Sequence, residues 1–128
     1  MKPFAKFSLT LTCFAILFFS GSASAEAATY TVPGNYSTIQ SCVNAAQAGD
    51  TCLVSAGTYN ESISTARSGT ALSRIYIKAA NSNKPSVNGL SFGHAYVTVD
   101  GFRINNTGTA VSVGGGGSYC EILNSEFN

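Results

Sequence analysis

From Cys52 onward, apolar residues occupy both ends of a triplet that returns every 22 or 23 residues: Cys52-Leu53-Val54, Ile75-Tyr76-Ile77, Val97-Thr98-Val99 and Cys120-Glu121-Ile122. Residues two apart on a strand share a face, so the outer pair of each triplet points one way and the middle residue the other. Tyr96 to Asn105 and Tyr119 to Asn128 match in phase over ten positions. A fixed period of this length belongs to a stacked array in which no unit buries its own core. Short strands rich in Val, Ile, Thr and Tyr alternate with the turns Ser68-Gly69, Asn88-Gly89, Asp100-Gly101 and Gly114 to Gly117. A sandwich also has short strands but does not hold a constant spacing. The pattern predicts an all-β fold, a right-handed parallel β-helix with about 22–23 residues per coil. One inward column should hold Cys52, Ile75, Val97 and Cys120, and a second Val54, Ile77, Val99 and Ile122. Ile104 and Phe127 should stack on another wall.

The segment before the repeat reads differently. Residues 29–36 form a short strand closed by Pro33-Gly34. Ser37 followed by Gln40 has the form of a capping box, and Ile39, Cys42, Val43 and Ala46 then make one apolar helical stripe. Gly49 is placed to end that helix in a left-handed turn. A short capping α-helix ahead of the first coil would cover the core and strand edges that a solenoid end otherwise exposes. The expected organisation is a signal peptide at 1–25, a strand and capping helix at 26–51, and coils at 52–128. The array stops at Asn128 in the phase of Asn105 with no second cap, as a truncated N-terminal fragment would.

The signal peptide rests on Lys2 and Lys6, an apolar run from Phe7 to Phe19, and Ala23-Ser24-Ala25. The run is too short for the roughly 20 residues that span a bilayer, and no later segment replaces it. Export to the extracellular space or periplasm is the expectation, with no membrane span after cleavage. The remaining 103 residues carry five Lys/Arg and six Asp/Glu, without a basic patch, which argues against a nucleic-acid partner. Asn35, Asn60 and Asn105 head glycosylation sequons that matter only in a glycosylating host. Three cysteines follow the leader in a compartment where disulfides persist. Cys52 and Cys120 stand three coils apart, too far to bridge. Cys42 lies on the helical stripe facing the first coil, so the expected disulfide joins Cys42 to Cys52 and leaves Cys120 as a buried thiol.

Ser37-Thr38-Ile39-Gln40 with Asn44-Ala45-Ala46, then Gly49-Asp50-Thr51 and Gly57-Thr58-Tyr59-Asn60-Glu61, resembles the N-terminal segment of secreted right-handed parallel β-helix proteins, the pectate-lyase-like superfamily. Val97-Thr98-Val99-Asp100-Gly101-Phe102-Arg103-Ile104 is similar to one of its generic coil repeats. The resemblance implies the fold and a polysaccharide partner. It leaves the reaction open, since lyases, pectin esterases, hydrolases and non-enzymatic proteins share these motifs. A lyase would need Ca²⁺ held by carboxylates and a basic residue for the C5 proton. A hydrolase would need paired Asp residues, and an esterase an Asp pair with glutamines.

Against those requirements the chain offers Asp50, Glu61, Asp100, Glu121 and Glu126, with Arg74, Lys78, Lys84 and Arg103. Asp100 at a strand corner is expected to cap its own turn, and Glu61 to serve structure near the cap. Glu121, Arg103 and Glu126 would line a shallow groove if their phase brings them together. His94, the sole histidine, is a surface turn residue, and Gly114 to Gly117 lacks the Lys-Ser/Thr of a phosphate loop. No cofactor is identifiable, no catalytic or metal residue is assigned, and a monomer is expected. The sequence thus predicts a secreted β-helix from a carbohydrate-active protein, such as a lyase acting on acidic polysaccharide. The alternatives are an adhesin-type binding protein and an esterase- or hydrolase-like β-helix.

Overall fold

Eleven short strands and one helix alternate along the chain in a computed structural model that describes residues 26–128. The leader read at residues 1–25 lies outside the described residues. The elements are β1 (Thr29–Val32), α1 (Ile39–Ala45), β2 (Thr51–Val54), β3 (Ser62–Ser64), β4 (Ile75–Ala79) and β5 (Ser86–Val87). They continue as β6 (Gly89–Phe92), β7 (Val97–Asp100), β8 (Arg103–Ile104), β9 (Val111–Val113), β10 (Glu121–Leu123) and β11 (Glu126–Phe127). All pairings between these strands are parallel, and they build three sheets, β1-β2-β4-β7-β10, β11-β8-β5 and β3-β6-β9. Each circuit of the chain contributes strands to the sheets in turn, so the whole is a parallel β-solenoid of about four turns.

Alternation inside the triplets sets which side chains fill the core. Cys52, Val54, Ile75, Ile77, Val97 and Val99 are buried, together with Ile63, Leu90 and Phe92 from the β3-β6-β9 sheet and Val87 and Ile104 from the third. Val87, Ile104 and Phe127 follow one another in register, as do Ile63, Leu90 and Val111. A column of branched side chains stacked at strand spacing packs at the density of a protein interior and removes each strand's inner face from water.

The register corrects the expected columns in one place. Cys52 lies beside Ile77, not Ile75, and Val54 lies beside Ala79. From there the triplets run as expected, with Ile75 beside Val97, Ile77 beside Val99 and Val99 beside Ile122. The physical reason is the excursion at residues 65–74, which contains a tight turn with Thr70 N–H donating to the Ser73 carbonyl at 2.9 Å and Ser73 N–H donating back to Thr70 at 3.2 Å. It lengthens this coil by two residues, and a shift of two preserves the facing of every side chain. Gly69 sits where the excursion presses on the next coil. A Cβ there would lie 2.7 Å from the Tyr96 carbonyl oxygen and 2.8 Å from that of Ser73, so only glycine fits.

The stacking also begins earlier than the visible repeat. β1 pairs with β2 through Tyr30 beside Cys52 and Val32 beside Val54, one coil before the first triplet. At the other end, Cys120 and Ile122 are half-buried and Phe127 is exposed. The expected buried thiol at Cys120 is therefore corrected. It stands just ahead of β10, an outer strand of its sheet, with no following strand over it among the described residues.

The helix covers the opposite end. It rests on β1, β2 and β3 and buries Ile39, Cys42 and Val43, with Ala46 just beyond. Its N-cap is Thr38 rather than Ser37, with the Thr38 hydroxyl accepting Ser41 N–H at 3.1 Å. Gln40 does not close a capping box. Its amide instead pairs with the backbone of Ser64, accepting that N–H at 2.7 Å and donating to its carbonyl at 2.9 Å. The helix ends at Ala45, before Gly49, whose φ of +97° belongs to the following turn. The disulfide Cys42–Cys52 ties this cap to the β1-β2-β4-β7-β10 sheet.

Candidate functional site

The outward residues of the β1-β2-β4-β7-β10 sheet form two parallel columns. One runs Thr29, Thr51, Tyr76, Thr98, Glu121, and the other runs Thr31, Leu53, Lys78, Asp100, Leu123. A cavity of about 530 Å³ lies over the first three strands, lined by Thr29, Thr51, Leu53, Tyr76, Lys78, Ala79 and Ala80. Its hydroxyls, one aromatic ring and one ammonium group offer both hydrogen bonds and a stacking surface. Lys78 is exposed and has no ion-pair partner among the described residues, although Asp100 stands beside it in register.

Higher on the same face, Arg74 organises a polar knot. Its Nε donates to Thr98 Oγ1 at 2.9 Å, and its guanidinium donates to the Tyr119 carbonyl at 2.6 Å and lies 3.4 Å from Glu121. The same group sits 5.8 Å from the ring centre of Tyr96, which stacks on Tyr119 at 4.9 Å with the planes 7° apart. Thr98 points outward by alternation yet is only 1% exposed, because this knot covers it. The arrangement engages Nε and one terminal nitrogen of Arg74 within the protein.

A second cavity, of about 420 Å³, opens where the chain leaves this sheet for the β11-β8-β5 sheet. Ala79, Asn81, Ser82, Lys84, Asp100, Gly101 and Asn124 line it. Asp100 does not cap its own turn as expected. Its carboxylate accepts Asn124 Nδ2 from the next coil at 2.8 Å, which ties successive corners together.

The groove expected from Glu121, Arg103 and Glu126 does not form as one unit. Glu121 lies on β10 and pairs with Arg74, whereas Glu126 lies on β11 of another sheet and pairs with Lys84 at 2.9 Å and Arg103 at 3.1 Å. Hydrogen bonds from Lys84 and then Arg103 hold the Glu126 carboxyl below its usual range. Glu61 has the structural role expected of it, as its two oxygens accept the N–H groups of Ile39 and Gln40. Burial, and then the charge of Glu61, raise the pKa of the neighbouring Tyr59 phenol, whose hydroxyl donates to the Ser55 carbonyl at 2.9 Å. Asp50, 4% exposed, accepts from Ala28 and Gln47 N–H groups, both at 2.8 Å, and so stitches the cap to β1.

His94 is half-buried, with Nδ1 3.1 Å from the Thr65 hydroxyl and its carbonyl accepting the Cys120 thiol at 3.0 Å. Among the described residues no group of three or more His, Cys, Asp and Glu is placed to hold a metal. Asn35 and Asn60 are exposed, and Asn105 joins a hydrogen-bonded column with Ser86 and Asn128. Sequence reasoning named the cations but missed Tyr76 and the Tyr96–Tyr119 stack. The available signal was the recurrence of Tyr96 and Tyr119 in phase, 23 residues apart. Comparisons with protein-family profiles, with curated proteins and with solved structures return no match for this chain.

Proposed function

We propose that this β-solenoid is a secreted polysaccharide-binding protein of the carbohydrate-active kind, and that its polysaccharide carries carboxylates. The observation behind the reading is the outer face of the β1-β2-β4-β7-β10 sheet, where Tyr76, a free Lys78 and the hydroxyls of Thr29 and Thr51 share one cavity. An aromatic ring beside hydroxyls suits the apolar and polar sides of a sugar, and a lysine free of ion pairs suits its carboxylate. Of the coil cations Arg74, Lys78, Lys84 and Arg103, Lys78 alone has no ion-pair partner among the described residues, which supports an anionic ligand at this face. The leader-like N-terminus and the Cys42–Cys52 disulfide support an extracellular or periplasmic setting. Among the described residues no helix is long and apolar enough to cross a membrane.

A lyase is the enzymatic form of this reading. The non-enzymatic form, a surface or adhesin-type binder, is favoured by the engagement of Glu121 and Glu126 in ion pairs, which leaves no pair of free carboxylates on the outer face among the described residues. Incubation with polygalacturonate, alginate and neutral xylan tests both. Retention on the two polyuronates and not on xylan is expected. Release of products absorbing as unsaturated uronates selects the lyase, and retention without release selects the binder. Failure to bind either polyuronate overturns the proposal.

A further inference from the structure

We infer that the corner cavity beside Asp100 and Lys84 binds one neutral saccharide unit, separately from the face that carries Lys78. Its floor is formed by Ala79 and Gly101 on adjacent coils. A Cβ on Gly101 would approach the Ala79 methyl to 2.9 Å, so the floor is closed, smooth and apolar. Its rim is polar and has bonding capacity to spare. Lys84 spends one of its three N–H donors on Glu126, and Asn81 uses its carbonyl to accept Asn83 N–H at 3.0 Å, leaving its NH₂. Asp100 accepts only from Asn124 among the described residues, and Ser82 makes no side-chain hydrogen bond among them. The cavity thus offers donors from Lys84 and Asn81, an acceptor in Asp100, and the two-way hydroxyl of Ser82.

Neighbouring hydroxyls on a sugar ring both donate and accept, so they match donors and acceptors set side by side above an apolar floor. The charges of Lys84 and Asp100 oppose one another, and Glu126 is matched by Arg103 as well as Lys84, so the cavity has no surplus charge with which to select an ion. Its volume of about 420 Å³ falls in the lower part of the range for small-molecule sites, which suits a single saccharide unit and not a chain. This goes beyond the reading above in naming a second site and a neutral ligand, and it rests on that reading only in treating sugars as the relevant chemistry.

The test is a two-dimensional amide NMR titration of the chain with the methyl glycosides of glucose, galactose and mannose, and with galacturonate. At least one neutral glycoside should produce saturable shifts confined to residues 79–84, 100–101 and 124. Removing the charged acceptor in Asp100→Ala should weaken that binding about tenfold. Ser82→Tyr, on an exposed loop outside the core, should abolish it by filling the cavity while leaving the other resonances in place. Lys78→Ala should leave it unchanged, which separates this site from the polyuronate face. The inference is overturned if no neutral glycoside saturates, if galacturonate alone binds here, or if Ser82→Tyr binds as the parent does.

Discussion

Glu61 closes the N-terminus of a helix that precedes it by a full coil: its Oε1 accepts Gln40 N–H at 2.8 Å and its Oε2 accepts Ile39 N–H at 3.1 Å. The first N–H groups of a helix have no partner within it, and a carboxylate there gains from both charge and hydrogen bonding. The cap is therefore held through Glu61 as well as through its apolar stripe. Glu61→Ala should cost about 2 kcal/mol in urea unfolding. Glu61→Gln should fall between the two, because its carbonyl can accept one N–H while its NH₂ cannot accept the other. A Glu61→Ala protein as stable as the parent would remove this carboxylate from the account.

The disulfide makes a second, independent attachment. Cys42 and Cys52 close a loop of ten residues' separation, for which the chain-entropy model gives about 2–3 kcal/mol of stabilisation. A Cys42→Ala, Cys52→Ala double variant should lose about that much while retaining the far-ultraviolet signature of the coils. Peptide mapping without reduction should find Cys42 joined to Cys52 and a free thiol at Cys120. A linkage to Cys120 would contradict the stacking of the coils.

Facing sorts the strand residues by tolerance. Ile77 is fully buried and Leu123 is 43% exposed, although both belong to strands of one sheet. Ile77→Asp places an unpartnered charge in the core and should abolish cooperative unfolding. Leu123→Asp should fold with nearly parental stability. Circular dichroism during thermal melting checks both, and equal effects would contradict the assigned facing.

Glu126 sets the pH response of the β11-β8-β5 corner. Lys84 and Arg103 lower its pKa in the folded state, so folding favours the ionised form. A group of this kind contributes stability above its unfolded pKa, and the contribution is lost as pH falls through the folded value. The stability difference between the parent and Glu126→Gln should thus be present at neutral pH and be lost as pH falls below the ordinary carboxylate range. Glu126 is exposed, so the difference should be small and should shrink with added salt. A difference that grew on acidification would contradict the ion pairs.

The alternation in Ile75-Tyr76-Ile77 and Val97-Thr98-Val99 made the sheet and its inner face readable, because strand facing depends only on residue parity. The offset of Cys52 from Ile75 to Ile77 was not readable, since parity is blind to a shift of two and the excursion at 65–74 announces no length. β1 carried the same apolar ends in Tyr30-Thr31-Val32, 22 residues before the first triplet, but Pro33 and Gly34 marked it as a short strand closed by a turn, apart from the repeat. Local signals also misled at the helix, where Ser37 and Gln40 fit a capping box while Glu61 and Ser64 captured the partners from a coil away. The knot of Arg74, Thr98, Tyr96 and Glu121 joins three successive coils, and no local window contains it.

The outer face is tested most directly by titration calorimetry with polygalacturonate at increasing salt, comparing the parent with Lys78→Ala and Tyr76→Ala. Affinity of the parent should fall as salt screens the Lys78 contact. Lys78→Ala should bind about tenfold more weakly, equivalent to about 1.4 kcal/mol, and with a flatter salt dependence. Tyr76→Ala should weaken binding equally at all salt concentrations, because stacking carries no net charge. If both variants bind polygalacturonate as tightly as the parent at every salt concentration, the face that carries Tyr76 and Lys78 is not where this protein meets polysaccharide.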